Sequence, residues 1–345
     1  MKAIQYYGPK DIRYEEIPVK PPQEGEVTVK VMSALTCGTD VKTFRRGHPV
    51  LIKKIPSGFG HEFAGIIDKI GENVEGFKVG DRVVAANSAP CGECFYCKKE
   101  EYNLCENLDL LNGAYAQYIN VPVRIVKKNM LILPENLSFD KAAFCEPLAN
   151  VVHGACRTGI KEGQSVGIIG IGPIGLMFAR IAKLMGARVI VAGRNPIKLK
   201  AAEEFAHADE IVDLKKYPNP EKIFKSFSDE SKGLDVGIEC VGLPEIWEQI
   251  FSCVRPGGTV HFFGGCKSGS TVTFDTTRIH YGDIKIMSVF HHTPQYFRKA
   301  LEYIASGEVE VEKLITDTLT LEKVEYAMEQ HIQGNAIKFL IKPND

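Results

Sequence analysis

From about Val151 onward, short β-prone runs alternate with longer stretches of helical apolar spacing. VGIIGI, RVIVAG, EIVDL, VGIECVG and TVHFFGG read as buried strands, and GLMFARIAKLMGA, IKLKAAEEFA and PEIWEQIFSCV read as helices between them. Such alternation predicts a parallel sheet with helices on both faces. The pattern upstream is different. AIQYY, EVTVKVMSAL, FAGIIDKIG, DRVVAA and YAQYINV are short and β-rich, with Gly, Pro, Asn or Asp between them. They predict a compact, barrel-like β domain over residues 1 to about 150. Helical periodicity is sparse until about Lys141. The last stretch, about Phe290 to Asp345, holds the helix-like YFRKALEYIASGE and LEKVEYAMEQHIQ and a terminal strand, AIKFLIKP. There is no internal repeat and no low-complexity segment.

Within the alternating region, VGIIGIGPIG at Val166 to Gly175 is a strand broken by Gly170, Gly172 and Gly175 and followed by a helix. This is the dinucleotide-binding fingerprint. The first glycine makes the tight turn and the second lets the backbone approach a pyrophosphate. The third lets the helix pack close to the strand, with its positive end toward the phosphates. Pro173 and Ile174 complete the turn, and a second strand, Arg188 to Ala192, follows at the distance of a βαβ unit.

At 345 residues the chain is long enough for two domains with real cores. Its formal net charge of -1 gives no global electrostatic case for nucleic acid or an anionic membrane. No apolar run approaches a membrane span, and MKAIQYYGPKDIRYEE has no apolar signal region, so the expectation is a cytoplasmic protein. Ten cysteines in a chain of this kind point to metal rather than disulfides. Four of them, Cys91, Cys94, Cys97 and Cys105, form C-x2-C-x2-C-x7-C over a lobe at about residues 90–106. Four thiolates so close can surround one zinc ion with no open position, which makes it a structural metal. An iron–sulfur cluster is the other metal option for such spacing.

A second set of donors is scattered. Cys37 lies in LTCGTDVK, His61 and Glu62 in FGHEFAG, and Glu146 in FCEPLANVVHG. Thiolate, imidazole and carboxylate are the ligand types of a catalytic zinc, which keeps a position open for substrate.

With GHE after a CGxD turn, the four-cysteine lobe, the EP segment and GxGPIG in that order, the whole chain resembles the medium-chain, zinc-containing alcohol dehydrogenases. It is most similar to their polyol (sorbitol-type) and threonine dehydrogenase branch. The resemblance implies an α/β protein with a GroES-like β-rich catalytic domain and a Rossmann domain, a doubly wound parallel sheet, for the cofactor. Residues 1–150 would be catalytic, 151–289 would bind the cofactor, and 290–345 would return to the catalytic domain. It implies two zinc ions per chain, with Cys37 and His61 as direct ligands of the catalytic one. Glu62 and Glu146 would share the remaining coordination, and which of them binds in the resting state stays open. Cys145 is adjacent, and cysteine is the third ligand in other members, but the register of the EP motif favours Glu146. Thr39 matches the family's hydroxyl that passes the alcohol proton outward. The histidine that often completes this relay is replaced by Lys42, which either serves, leaves the proton to a ribose hydroxyl and water, or pairs with cofactor phosphate. The resemblance also implies a homo-oligomer, tetramer or dimer, acting on a small molecule, with no nucleic acid and no membrane partner.

At the end of the second strand an acidic residue normally holds the adenosine ribose of NAD. The family's aspartate position falls here on Gly193, followed by Arg194, with Lys198 beyond. Without the carboxylate a 2′-phosphate is not repelled, and a guanidinium can grip it. The expectation is NADP(H) over NAD(H). The substrate expected from the resemblance is a secondary alcohol or ketone, a polyol, cyclitol or sugar derivative. Arg45, Arg46 and His48, in KTFRRGHPVLIKKIPSG, either line the substrate mouth or form a solvated basic loop. The alternatives are an NAD-dependent threonine-type dehydrogenase and a catalytically inactive, zinc-stabilised nucleotide-binding protein.

Overall fold

The computed structural model describes residues 1–48 and 51–345. The chain divides into two compact units, Met1–Ala149 with His292–Asp345, and Asn150–His291.

The first unit is built on a seven-stranded sheet. Its strands run in the order Met130–Ile132, Arg82–Ala85, Glu62–Ile70, Val27–Leu35, Lys338–Lys342 and Ile315–Thr320, and Tyr118–Val121 also pairs with Val27–Leu35. The central strand VTVKVMSAL is buried along most of its length, as a strand covered on both faces must be. Residues more than three hundred positions apart meet there, since Lys338–Lys342 pairs antiparallel with it through Leu340 to Leu35 and Ile341 to Ala34. A smaller sheet joins Asp11–Glu16, Lys2–Gly8 and Ser57–Gly58. The core between these elements is aromatic and aliphatic. Tyr6 stacks on Phe59 with ring centroids 5.8 Å apart, and Tyr115 meets Phe59 edge-on at 5.6 Å.

The region where helical periodicity is sparse nevertheless holds helices, among them Gly38–Arg46 and Val123–Asn129. The first escapes a search for apolar spacing because its buried face is Asp40, Thr43 and Phe44, of which only one is apolar. Its cap is also unusual. The Cys37 sulfur accepts the Thr39 N–H, while Asp40 accepts the Cys37 N–H, a capping box with a thiol in the place of a hydroxyl.

The second unit is a six-stranded sheet in the order Glu210–Asp213, Arg188–Gly193, Ser165–Ile169, Leu234–Glu239, Val254–Phe262 and Lys285–Met287, parallel throughout. The order reverses between Ser165–Ile169 and Leu234–Glu239. That places a crevice at the carboxyl ends of these two strands, where open α/β sheets take their ligands. Helices Pro173–Leu184, Pro196–Glu204 and Pro244–Cys253 each begin on a proline, whose fixed φ suits a first turn. Under the sheet, Phe224, Leu234, Ile250 and Val260 are fully buried, and Trp247 stacks on Phe262 with centroids 4.1 Å apart. Among the described residues no helix is long and apolar enough to cross a membrane.

Candidate active site and cofactor cleft

In the first unit the antiparallel register of Val27–Leu35 with Glu62–Ile70 sets Leu35 opposite Glu62. The chain leaves one strand at Thr36 and enters the other at His61, so Cys37 arrives beside His61 and Glu62. One donor atom from each of these three residues lies within 4.8 Å of the others. Asp40 then fixes the imidazole. Its Oδ1 lies 3.0 Å from His61 Nδ1, and its Oδ2 accepts the Tyr115 hydroxyl at 2.5 Å and the Cys37 N–H at 3.1 Å. With Nδ1 so engaged, Nε2 is the nitrogen left for another partner.

Asp40, His61, Glu62 and Lys338 are buried and Cys37 is partly so, and the pKa values register it. Burial raises the Cys37 thiol, and the Glu62 carboxylate adds to the effect. Burial works against a charged His61, but Asp40 and Cys37 outweigh it and hold its pKa well above the ordinary value. Burial alone would raise Asp40, yet His61 and Tyr115 keep its carboxyl below the usual range. Glu62 is raised to about 7, chiefly by burial, with the Lys338 ammonium opposing and Glu146 assisting. The Lys338 ammonium, itself buried, bonds Glu62 Oε2 and donates to the Thr36 carbonyl at 2.8 Å. The other carboxylate oxygen of Glu62, Oε1, is buried with no hydrogen-bond partner. A sulfur, a nitrogen and an orphaned carboxylate oxygen, converging within 4.8 Å, are the donor set a zinc ion would satisfy.

Glu146 is in the first turn of Cys145–Thr158 and is buried. It does not join the Cys37–His61–Glu62 group, but its Oε1 lies 3.7 Å from His292 Nε2, which in turn is 3.1 Å from Asn87 Oδ1. Cys145 faces away, its thiol donating to the Phe297 carbonyl at 3.2 Å, and burial pushes its pKa well up. Thr39 is half-buried in the first turn of Gly38–Arg46, and Lys42, Arg45 and Arg46 are exposed on the same helix. His48 is partly buried, which lowers its pKa. Pro49 and Val50, in the same basic loop, lie outside the described residues. Asp40, Tyr115, Lys338, Asn87 and His292 escape a search of the sequence for metal ligands. The one signal for Lys338 is a charge in the middle of the apolar run AIKFLIKP.

The four cysteines of the lobe also converge, each sulfur within 4.8 Å of the others. Cys91 and Cys97 sulfurs are 3.8 Å apart, and those of Cys94 and Cys105 are 3.9 Å apart. A tetrahedron with Zn–S bonds of about 2.3 Å has edges of about 3.8 Å, so a single zinc ion fits this cage. An iron–sulfur cluster would hold the sulfurs much farther apart. Backbone N–H groups of Glu93 and Cys94 point at the Cys91 sulfur and lower its pKa to about 6. Burial pushes the Cys97 thiol up to about 12, and a cation at the centre would favour its thiolate.

In the second unit the turn after Ser165–Ile169 follows the glycine logic closely. Gly170 has φ +103°, a conformation that L side chains rarely adopt. A Cβ on Gly175 would lie 1.8 Å from the Gly170 carbonyl oxygen, so helix and turn touch there. Gly172, the N-cap of Pro173–Leu184, would meet nothing within 4 Å, so the space above its backbone is open. Pro173 and Ile174 are the first two helical residues. Across the crevice the Glu239 carboxylate accepts the Val241 and Gly242 N–H groups at 2.5 and 2.7 Å and shapes the facing turn. Gly193 ends the neighbouring strand, Arg194 is exposed, and Lys198 is partly buried in Pro196–Glu204, its pKa lowered by burial. Lys198 has no ion-pair partner among the described residues.

Residues 23–132 match the family described as Alcohol dehydrogenase GroES-like domain, and residues 173–306 match Zinc-binding dehydrogenase. The sorbitol dehydrogenase of Bacillus subtilis (strain 168) is 33% identical over all of this chain and 98% of its own length. The chain belongs to the zinc-containing medium-chain alcohol dehydrogenase family, in its polyol branch. D-arabinitol dehydrogenase 1 of Uromyces fabae is 32% identical over 100% of this chain and 97% of that protein. A zinc-binding dehydrogenase from Sinorhizobium meliloti 1021, solved with NADP, superposes with a TM-score of 0.91 at 30% identity, covering 99% of each chain. The protein is therefore an alcohol or polyol oxidoreductase of the zinc- and nicotinamide-dependent kind. The expected GroES-like and Rossmann architecture holds.

Proposed function

We propose that this dehydrogenase interconverts a secondary alcohol and its ketone, with a polyol, cyclitol or sugar derivative as substrate and NADP(H) as the hydride carrier. The unit formed by Met1–Ala149 and His292–Asp345 would be catalytic, and Asn150–His291 would bind the nucleotide. The observation that carries the reading is the convergence of the Cys37, His61 and Glu62 donors, with its one orphaned buried carboxylate oxygen.

Zinc held by Cys37, His61 and Glu62 would supply Lewis acidity toward an alcohol oxygen, and a nicotinamide bound by the second unit would supply the hydride chemistry. The chain's own residues do the rest. Asp40, locked by Tyr115, fixes the His61 ring. Lys338 holds one Glu62 oxygen and leaves the other to the metal. Glu146 stands close enough for its charge to be felt at Glu62. Thr39, two residues after Cys37, would carry the alcohol proton outward through its hydroxyl. Cys91, Cys94, Cys97 and Cys105 would hold a second zinc that only stabilises its lobe.

The preference for NADP(H) rests on Gly193, Arg194 and Lys198. Position 193 itself offers no carboxylate to an adenosine ribose, and Arg194 and Lys198 follow the strand end. The test is fluorescence titration with NADPH and NADH, followed by a screen of polyols and keto-sugars. The reading requires at least about tenfold tighter binding of NADPH and turnover of a polyhydroxy substrate. Tighter binding of NADH, or turnover confined to simple primary alcohols, would contradict it.

A further inference from the structure

An NADP(H) preference at position 193 turns on a missing carboxylate, and the structure ties that absence to a second residue. Gly193 does not lie in the left-handed region, so its backbone would accept any side chain. Space is what excludes one. A Cβ on Gly193 would fall 2.1 Å from Cγ1 and 2.2 Å from Cδ1 of Ile171. Ile171 is the residue between the first two glycines of the fingerprint, and it is only 4% exposed.

The two positions cannot easily draw apart. The Gly170 N–H donates to the Ala192 carbonyl at 3.0 Å, and the Leu214 N–H donates to the Gly193 carbonyl at 2.7 Å. The backbone is thus pinned on both sides of the contact. Ile171 is β-branched and stiff at χ1, so it does not swing clear without cost. Its side chain occupies the volume that an acidic residue at 193 needs in order to leave the strand toward an adenosine ribose.

We propose that Ile171 is a specificity-determining residue, and that cofactor choice belongs to the pair Ile171–Gly193 rather than to position 193 alone. The proposal rests on the NADP(H) reading, with Ile171 acting through the space it fills and not through charge. It requires that an acid at 193 cannot confer NADH binding until Ile171 is made smaller.

The test is a double-mutant cycle of wild type, Gly193→Asp, Ile171→Ala and the double variant. Dissociation constants for NADH and NADPH are read by fluorescence, with melting temperature beside them. Gly193→Asp alone is expected to weaken both cofactors by about tenfold, because the displaced Ile171 disturbs the Gly170 turn. Adding Ile171→Ala is expected to tighten NADH at least about tenfold relative to Gly193→Asp, with NADPH remaining weak. Effects that add within about twofold would overturn the proposal.

Should Gly193→Asp fail to fold, Gly193→Ala replaces it. Its melting temperature should fall, and Ile171→Ala should restore part of the loss, whereas independent losses would overturn the coupling. The wild-type titration is read separately. A preference of wild type for NADH would sink the NADP(H) reading, while the alanine cycle would still report whether residues 171 and 193 are coupled.

Discussion

The two units build their sites in opposite ways. The first gathers buried charge, with Cys37, Asp40, His61, Glu62 and Lys338 all meeting at the ends of two paired strands. The second clears side chains away at the ends of two parallel strands, with Gly170, Gly175 and Gly193 letting neighbouring atoms close in and Gly172 leaving open space. In the first unit a substitution acts by leaving a partner charged and dry. In the second it acts by adding atoms where none fit.

The largest expected effect is on the side of buried charge. Lys338→Met leaves the Glu62 carboxylate buried without its cation and should cost about 3–5 kcal/mol in a denaturant melt. Lys338→Arg, which keeps the charge, should recover part of it. If Lys338→Met cost under about 1 kcal/mol, the buried pair would not hold the first unit's site as described.

Gly175→Ala is the counterpart in the other unit. Its methyl group would press on the Gly170 carbonyl, and the loss should be about 3 kcal/mol, with NADPH and NADH weakened together. An unchanged melt would show that the glycines are not there for close approach.

His261 gives a comparison under acid, because it is a buried titratable group of the second unit. The Thr158 hydroxyl donates to the Gly154 carbonyl at 2.7 Å, so at 3.0 Å from His261 Nδ1 it accepts. The ring is then neutral, with Nε2 buried and unpartnered. Burial, helped by the charges of His153 and Arg157, lowers its pKa from 6.5 to about 4. Below pH 6.5 the unfolded chain takes up a proton that the folded chain refuses, so stability is complete above 6.5 and falls toward pH 4. The loss should reach about 3 kcal/mol and be absent in His261→Gln, as pH-dependent melts of the two proteins would show. An equal acid slope in both would contradict a neutral buried His261.

The smallest effect is expected at Asp40. Asp40→Asn keeps the shape but weakens the hold on the His61 ring, and zinc affinity should fall by about 10–100-fold in a chelator competition, with the fold intact. No change would mean that His61 is oriented by packing alone.

The same contrast explains what was legible in the sequence. The glycine turn and the four cysteines are local, because their chemistry depends on spacing within a few residues, and a string of letters records spacing. The partners of the buried donors are not local. Asp40 is 21 positions from His61, and Lys338 is 276 positions from Glu62. Only the return of Lys338–Lys342 to the central strand brings that ammonium to the site, and nothing in AIKFLIKP names its partner. The helix Gly38–Arg46 was hidden for a related reason. Its inward face is polar because it serves the site, so the apolar rhythm that marks other helices is absent. Ile171 is invisible to a motif as well, since the fingerprint leaves that position free while the fold fills it against Gly193.

The most direct test of the account is a zinc count by elemental analysis on purified wild type, Cys37→Ser and Cys97→Ser. The account predicts about two zinc ions per chain in wild type. Cys37→Ser should retain about one with a nearly unchanged melting temperature and no turnover, while Cys97→Ser should lose the lobe's zinc and melt early. A wild-type protein with one zinc that survives Cys37→Ser would contradict the assignment of Cys37, His61 and Glu62 as a catalytic metal site.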